Sequence, residues 1–122
     1  MILLDTNALI WLEQGHRRAR ALVGQGKRLY ISPASLLELQ FLTEAGRIRL
    51  RSSGVADLAH HHLWLLDDPP AAAWFDEALD LSWTRDPFDR LLVAHARLRG
   101  WRLATADTAL LEHLTERQRL AV

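Results

Sequence analysis

The sequence predicts an α/β domain in which a short, mostly parallel sheet is covered by helices on both faces. Short apolar runs alternate with helical segments along the whole chain. Continuous apolar runs are typical of strands buried on both sides, and strands joined through helices pair in parallel. The 122 residues suffice for one buried core, and no repeat or linker divides them. We therefore expect a single domain over residues 1–122, built as a three-layer α/β/α sandwich.

The first third of the chain begins with a buried strand over Met1–Leu4, an apolar run that ends at an acid. A short helix follows over Thr6–Gln14 and ends before Gly15. An arginine-rich amphipathic pattern predicts a second helix over His16–Gly26. Leu29–Ile31 is the second short apolar run and the second predicted strand.

The middle of the chain begins with a helix announced by Ser32 and Pro33. Serine accepts a hydrogen bond from a free N–H at a helix start, and proline fits the first helical position. This helix is expected to end near residue 46, where the basic connector Gly46–Arg51 follows. Beyond it we expect a helix over Ser53–His61 and a strand over Leu63–Leu66.

The last third contains two helices that each begin at an Asp-Pro pair, over Asp68–Leu79 and Asp86–Arg99. The apolar run Arg102–Thr105 predicts a strand, and Asp107–Leu114 predicts a further helix. Leu120–Val122 is expected to be a last strand at the edge of the sheet.

The composition excludes several classes of protein. An apolar fraction of 49% and a charged fraction of 25% are ordinary for a globular domain. Without cysteine, neither a disulfide framework nor a thiolate metal site is available. No run approaches the ~20 apolar residues of a membrane span, and the start has no basic signal-peptide lead, so we expect a cytoplasmic protein with no membrane partner. A net charge of +0 gives no support for nucleic-acid binding through overall charge.

Acidic residues stand where an α/β protein places its functional site. Sites in parallel sheets form beyond the carboxyl ends of the strands. Asp5 and Asp107 follow predicted strands, Asp86 and Asp89 stand at a helix start, and Glu38 lies on a small or apolar helix face. Taken singly, Asp5 and Asp107 can each be interpreted as a helix cap, and Glu38 as the edge of a buried stripe; capping explains one of Asp86 and Asp89 easily and both less easily.

The acids as a set favour a metal site. Converging carboxylates repel one another and raise their own pKa values unless a cation neutralises them. Oxygen ligands without cysteine or a convincing histidine cluster favour Mg²⁺ or Mn²⁺. Such ions activate water and neutralise charge on a phosphoryl group, which is the chemistry of phosphodiester hydrolysis.

At these acids the sequence resembles the PIN-domain ribonucleases, and in particular the VapC-type toxins of bacterial toxin–antitoxin pairs. Four blocks recur in the family's order and spacing: LLDTNALIWL, ISPASLLELQF, RDPFDRLLVAHA and LATADTAL. The resemblance implies Mg²⁺- or Mn²⁺-dependent cleavage of RNA, inhibition by a cognate antitoxin, and a homodimer. The ending LEHLTERQRLAV is not typical of the family and leaves the last strand open.

The resemblance also implies roles for individual residues. Its catalytic and metal-binding acids fall on Asp5, Glu38, Asp89 and Asp107. Its supporting polar positions fall on Thr6, Asn7 and Thr105. Asp86 matches a frequent extra acid in this subgroup, either a helix cap or an outer group of the site. By their spacing around the acids, Arg85 and Arg90 are placed to hold an RNA phosphate.

Two other classes of phosphate-handling protein are excluded because the chain lacks residues that they require. A receiver domain needs paired acids near the first strand and a lysine after the last one, whereas the chain has a single acid there and Lys27 as its only lysine. A haloacid-dehalogenase-type phosphatase needs Asp-x-Asp, but Thr6 and Asn7 follow Asp5. A catalytically silent PIN-like module that binds RNA or an antitoxin remains open.

The remaining predictions concern where the histidines and tryptophans lie in the fold. His95 is expected at the surface or rim of its helix, and His60–His62 in a partly exposed turn, since adjacent histidines cannot all face one ion. Four tryptophans are interpreted mainly as core residues, with a dimer or antitoxin groove as the alternative: Trp11, Trp64, Trp74 and Trp83.

Overall fold

A computed structural model describes residues 1–24 and 26–122 and contains one five-stranded sheet in the order β3-β2-β1-β4-β5. The strands are β1 Ile2–Leu4, β2 Leu29–Ile31, β3 Leu65–Leu66, β4 Arg102–Thr105 and β5 Arg119–Ala121. Every strand pair is parallel. The predicted α/β fold is confirmed, and the sheet of the described chain is wholly rather than mostly parallel.

Six α-helices and one 3₁₀ helix (Arg17–Leu22) connect the strands of the described chain. The α-helices are α1 Thr6–Glu13, α2 Pro33–Glu44, α3 Val55–Leu58, α4 Ala71–Ala78, α5 Pro87–Arg99 and α6 Thr108–His113. None of them, over residues 1–24 and 26–122, is long and apolar enough to cross a bilayer.

The central strand β1 explains why the N-terminal run is continuously apolar. Ile2 and Leu4 pack into one hydrophobic cluster, while Leu3 packs into a second cluster that includes α4 and α5 residues. Successive side chains of a strand point to opposite faces, so all three are buried only if both faces are covered. The sheet therefore lies between two helical layers.

The site-forming edge of the sheet is set by β1, which pairs with β2 on one side and with β4 on the other. The chain leaves β1 for β2 and later enters β4 on the opposite side, so the strand order reverses at β1. Ligand sites in open parallel sheets lie beyond the carboxyl ends of the strands at such a reversal. Asp5 follows β1 and Asp107 follows the end of β4 closely at this edge.

The predicted helix over His16–Gly26 is wrong in type and length, since the structure has the 3₁₀ helix instead; Gln25 lies outside the described residues. Ala19 and Leu22 are its buried side chains. Their spacing of three residues suits a helix with three residues per turn better than an α-helix.

The predicted elements over Ser53–His61 and Leu63–Leu66 are present but shorter, as α3 and the two-residue β3. His60–His62 forms the partly exposed turn expected of it. The His61 ring stacks on Trp64, with centroids 4.5 Å apart, and its Nδ1 accepts the Leu63 N–H. With this packing, α3 ends at Leu58, before the histidines, and β3 begins only at Leu65.

His95 is not at the surface or rim, because its side chain is completely buried. Its neighbours on α5, from Leu92 to Ala96, are buried with it, so this helix contributes a wider face to the core than its polar residues suggest. Among the tryptophans, Trp64 and Trp74 are core residues as expected, and Trp11 and Trp83 pack against the core while partly buried.

Candidate active site

Four carboxylates line one small pocket at the carboxyl ends of β1 and β4. The pocket has a volume of about 50 Å³. Its walls come from Asp5, Thr6, Asn7, Glu38, Leu42, Asp89, Leu92, Asp107 and Leu110. Every acid that the sequence pattern combined into a quartet is therefore at this pocket, although the four arise from distant parts of the chain.

Asp5 and Asp107 cap helices and line the pocket at the same time. Asp5 Oδ1 accepts the Ala8 N–H at 2.7 Å at the start of α1. Asp107 Oδ1 accepts the Leu110 N–H at 3.1 Å at the start of α6. Each cap uses one oxygen of its carboxylate, so the structural and the functional interpretations do not exclude each other. The cap orients each carboxylate without removing it from the pocket wall.

Polar side chains support two of the acids. The Thr105 hydroxyl hydrogen-bonds Asp5 and accepts the Asp107 N–H at 3.0 Å, and thus connects two acids from behind the pocket. The Thr6 hydroxyl lies beside Glu38 and donates to the Ser35 hydroxyl at 3.2 Å. Groups that fix carboxylates in this way orient them toward a common centre.

Asp86 caps α5 and does not line the pocket. Its Oδ1 accepts the N–H groups of Phe88 at 2.8 Å and Asp89 at 3.2 Å. Its charge nevertheless raises the pKa values of Asp89 and Glu38, so it lies near enough to belong to the electrostatic surroundings of the site.

The pKa values of the pocket acids show how unfavourable this concentration of charge is. Burial, followed by the charges of Asp107 and Glu38, raises the pKa of Asp5 to about 6 against two hydrogen bonds that lower it. Burial and the neighbouring acids, Asp86 foremost, raise the pKa of Asp89 to about 7. Burial also raises the pKa of Glu38. A structure that collects carboxylates at this cost is typical of a cation site or of acid–base chemistry.

The donor set fits a hard divalent cation. No basic side chain is among the described residues that line the pocket, and the available ligand atoms there are carboxylate, amide and hydroxyl oxygens. In the described part of the chain no three Asp, Glu or His side chains stand close enough together to hold an ion jointly as they are oriented here. Glu38 and Asp89 cap no helix, since Ser32 and Asp86 cap α2 and α5.

A buried network anchors the two helices that carry Glu38 and Asp89. His95 of α5 contacts Ser32 Oγ through Nδ1 at 2.9 Å and Asp67 Oδ2 through Nε2 at 2.7 Å. Because the Asp67 carboxylate only accepts hydrogen bonds, Nε2 donates to it, and in the neutral ring Nδ1 accepts from the Ser32 hydroxyl, which itself accepts the Ala34 N–H. Burial likewise lowers the pKa of His95. The network fastens the start of α2 to the middle of α5.

Sequence reasoning missed the apolar wall of the pocket and the serine behind it. Leu42, Leu92 and Leu110 each stand three or four residues after an acid on the same helix, so helical periodicity contained this signal. Ser35 stands three residues before Glu38 and supports Thr6.

The two arginines predicted to hold RNA phosphate lie outside the pocket wall. Arg85 is exposed to solvent. Arg90 is half-buried, and its Nε donates to the Thr84 carbonyl at 2.8 Å, which fixes the direction of its guanidinium. Both arginines flank the start of α5.

A short parallel sheet with a carboxylate pocket at its strand reversal defines the class, and the family comparison agrees with it. Residues 2–115 match the model of the PIN domain. The chain belongs to the PIN-domain family.

Its relatives define the group within that family. The chain is 33% identical over 119 residues to Ribonuclease VapC22 of Mycobacterium tuberculosis. The match covers 92% of this chain and 91% of that protein. The chain is thus a VapC-type member of the PIN-domain family.

Solved structures show the same fold at lower identity. A toxin–antitoxin complex from Klebsiella pneumoniae contains a chain with a TM-score of 0.72 and 17% identity, covering 98% of this chain and 96% of that one. The structure of VapBC2 from Rickettsia felis, bound to a DNA fragment from its promoter, contains a chain with a TM-score of 0.69 and 16% identity. The match covers 100% of this chain and 99% of that one.

Proposed function

We propose that this protein is a Mg²⁺- or Mn²⁺-dependent endoribonuclease that hydrolyses RNA phosphodiester bonds at the acid pocket. The observation that carries the proposal is the convergence of Asp5, Glu38, Asp89 and Asp107 on one pocket with no basic side chain in its described wall. The ribonuclease name of its relative of 33% identity supports the choice of RNA.

In this proposal Asp5 is the central ligand, because it is the most buried acid and its cap holds it in place. Asp107 is held in the same way, and Glu38 and Asp89 complete the set. A divalent ion held by these residues would supply an activated water as the nucleophile and neutralise charge on the phosphoryl group, so that the new P–O bond forms as the bond to the leaving 3′-oxygen breaks. Because the pKa values of Asp5 and Asp89 lie at about 6 and about 7, protons compete with the ion below neutral pH.

The size of the pocket limits how RNA is held. The pocket volume of about 50 Å³ is less than twice the ≈ 30 Å³ that one water occupies in the liquid. A nucleotide cannot enter such a space, so the RNA backbone lies across the mouth, with bases and flanking phosphates on the rim. Arg85 and Arg90 stand at the start of α5 for phosphate contacts there.

We further propose that the enzyme is the toxin of a toxin–antitoxin pair, is inhibited by a cognate antitoxin, and forms a homodimer. The structural relative from Klebsiella pneumoniae is a toxin–antitoxin complex and that from Rickettsia felis is VapBC2, and both support an antitoxin partner. Large apolar side chains exposed on β3 and just after α4 offer surfaces for such contacts: Leu65, Leu66 and Leu79. Co-purification with the product of the neighbouring gene tests the first partner, and light scattering tests the dimer.

RNA cleavage with Mg²⁺, with Mn²⁺ and with EDTA tests the activity. Asp5→Ala and Asp89→Asn are expected to abolish cleavage, as is EDTA. Asp76→Asn is the matched control, because Asp76 is an exposed acid on α4 away from the pocket, and it is expected to cleave like the wild type.

The results separate the enzyme from a silent binding module. Cleavage that survives Asp89→Asn, or that EDTA leaves unchanged, contradicts a metal site at these acids. A wild type that binds RNA or an antitoxin but cleaves no tRNA, rRNA or mRNA is the silent module instead.

A further inference from the structure

Two phenylalanines meet between the two helices that carry Glu38 and Asp89. Phe41 of α2 and Phe88 of α5 have ring centroids 5.8 Å apart and planes inclined by 75°, an edge-to-face pair. Neither belongs to the two hydrophobic clusters that form the core. The pair therefore bridges two helices at the surface rather than closing the interior.

The position of the pair is set by the acids. Phe41 stands one helical turn after Glu38, and residues three apart on a helix are neighbours on its surface. Phe88 directly precedes Asp89 in the first turn of α5. The aromatic contact thus joins the same two helices that present these two carboxylates.

The exposure of Phe41 is not explained by folding. Its relative exposure is 52%, and Leu37, one turn earlier on α2, is also 52% exposed. An edge-to-face contact covers at most one face of either ring, so each ring keeps a face on which a flat group can stack. Apolar surface left open beside a polar pocket is typical of a ligand-binding rim.

We propose that Phe41, held by Phe88, is a stacking platform for an unpaired base next to the phosphate that is cleaved. The inference rests on the proposed ribonuclease function and deepens it. Bases stack on exposed aromatic rings in single-stranded nucleic acid, whereas paired bases do not present their faces. The enzyme then selects single-stranded RNA, because only an unpaired nucleotide can place its base on the ring and its phosphate at the acids.

A nucleobase fits this position better than an apolar segment of a protein. The neighbours of the pair on both helices are the carboxylates assigned to phosphodiester cleavage. A backbone lying across the small pocket brings the adjacent base over the rim, within reach of a ring one turn from Glu38. Stacking is also tolerant of sequence, since every base has a face to offer.

RNA binding isolates this step from catalysis. Fluorescence anisotropy of a labelled short single-stranded RNA, and of the same RNA as a duplex, is measured with full-length protein in an Asp5→Asn background, in which gels check that the RNA stays intact. The variants are Phe41→Ala, Phe41→Trp and Phe75→Ala. Phe75 is the matched control, since it is also 52% exposed and also lies edge-on against another aromatic ring, Trp74, but on α4.

Phe41→Ala is expected to weaken single-strand binding roughly 5- to 150-fold, the range that one lost base stack represents. Phe41→Trp is expected to restore binding, because it keeps a stacking ring, and Phe75→Ala to leave it unchanged. Duplex binding is expected to be equal in all variants. Thermal unfolding is expected to be unaffected by Phe41→Ala, whose ring is half exposed.

Three results overturn the proposal: less than twofold loss with Phe41→Ala, an equal loss with Phe75→Ala, or an equal loss for duplex RNA. A Phe41→Ala variant that loses only a protein partner assigns the ring to protein binding instead. Failure of the proposed function is distinct, since the wild type then cleaves no RNA at all. If the wild type cleaves RNA and Phe41→Ala binds and cleaves it normally, the stacking proposal is wrong and the proposed ribonuclease function stands.

Discussion

Asp5→Asn is expected to make the metal-free protein more stable while it removes the proposed activity. Asparagine has nearly the same shape as aspartate, and its oxygen can still accept the Ala8 N–H that caps α1. The substitution removes only the buried charge, which burial and the charges of Asp107 and Glu38 make unfavourable. Loss of function with a gain of stability is expected where a site concentrates like charges.

The magnitude follows from the pKa of Asp5. The pKa is about 6 in the folded chain against an ordinary value of 3.8. Between these two pH values the folded state holds a proton that the unfolded state has released, so the stability of the wild type falls as the pH rises. Above pH 6 the full penalty is about 3 kcal/mol, an upper bound on the gain from Asp5→Asn because the new amide must also find partners. Near pH 4 the penalty nearly vanishes.

Urea unfolding in EDTA at pH 4 and at pH 8 measures this difference. We expect Asp5→Asn to unfold at higher urea than the wild type at pH 8, and the two to be nearly equal at pH 4. Added Mg²⁺ is expected to raise the melting temperature of the wild type and not of the variant. Equal stability at pH 8, or a gain of the same size at both pH values, would refute the electrostatic reasoning. Asp76→Asn, an exposed acid, controls for general charge effects.

Three further substitutions test the framework around the site. His95→Ala removes two buried hydrogen bonds and opens a cavity, so we expect a loss of about 3 kcal/mol in the free energy of unfolding by urea. Glu13→Ala is expected to lower the free energy of unfolding by about 2 kcal/mol, because the buried carboxylate of Glu13 accepts two hydrogen bonds from Ser52 that hold a loop. A loss below about 0.5 kcal/mol, the size of an ordinary surface substitution, would contradict this. Asp86→Ser is expected to keep the cap of α5 and lower the pKa of Asp89, seen by NMR titration of the metal-free protein, whereas Asp86→Ala also costs about 1 kcal/mol. An unchanged Asp89 titration in both variants would show that the charge of Asp86 does not act on it.

Local patterns carried the prediction where short-range physics decides the structure. The acids that follow strands, the Ser-Pro start of α2 and the Asp-Pro start of α5 are each specified by a few neighbouring residues, and the structure contains these elements. The same patterns left cap and pocket ligand as alternatives for Asp5 and Asp107. The structure shows that one carboxylate caps a helix and lines the pocket at once.

Local sequence patterns gave wrong predictions where contacts with distant segments determine the structure. A histidine in a helix is ambiguous by itself, and His95 became a buried anchor only because Ser32 and Asp67, from two other segments, supply partners for both ring nitrogens. The 3₁₀ helix and the short β3 were also missed, because which side chains of these segments are buried is known only once the core has formed.

By itself, the sequence determined the alternation of strands and helices and the chemical identity of the acids, because hydrophobic patterning and capping act over a few residues. Only the tertiary structure decided that Asp5, Glu38, Asp89 and Asp107 share one pocket, that their burial and proximity raise pKa values, and that Phe41 of α2 meets Phe88 of α5. Electrostatic and stacking interactions depend on distances through space. Those distances exist only once the sheet has brought the ends of β1 and β4 together and the helices α2 and α5 have packed beside them.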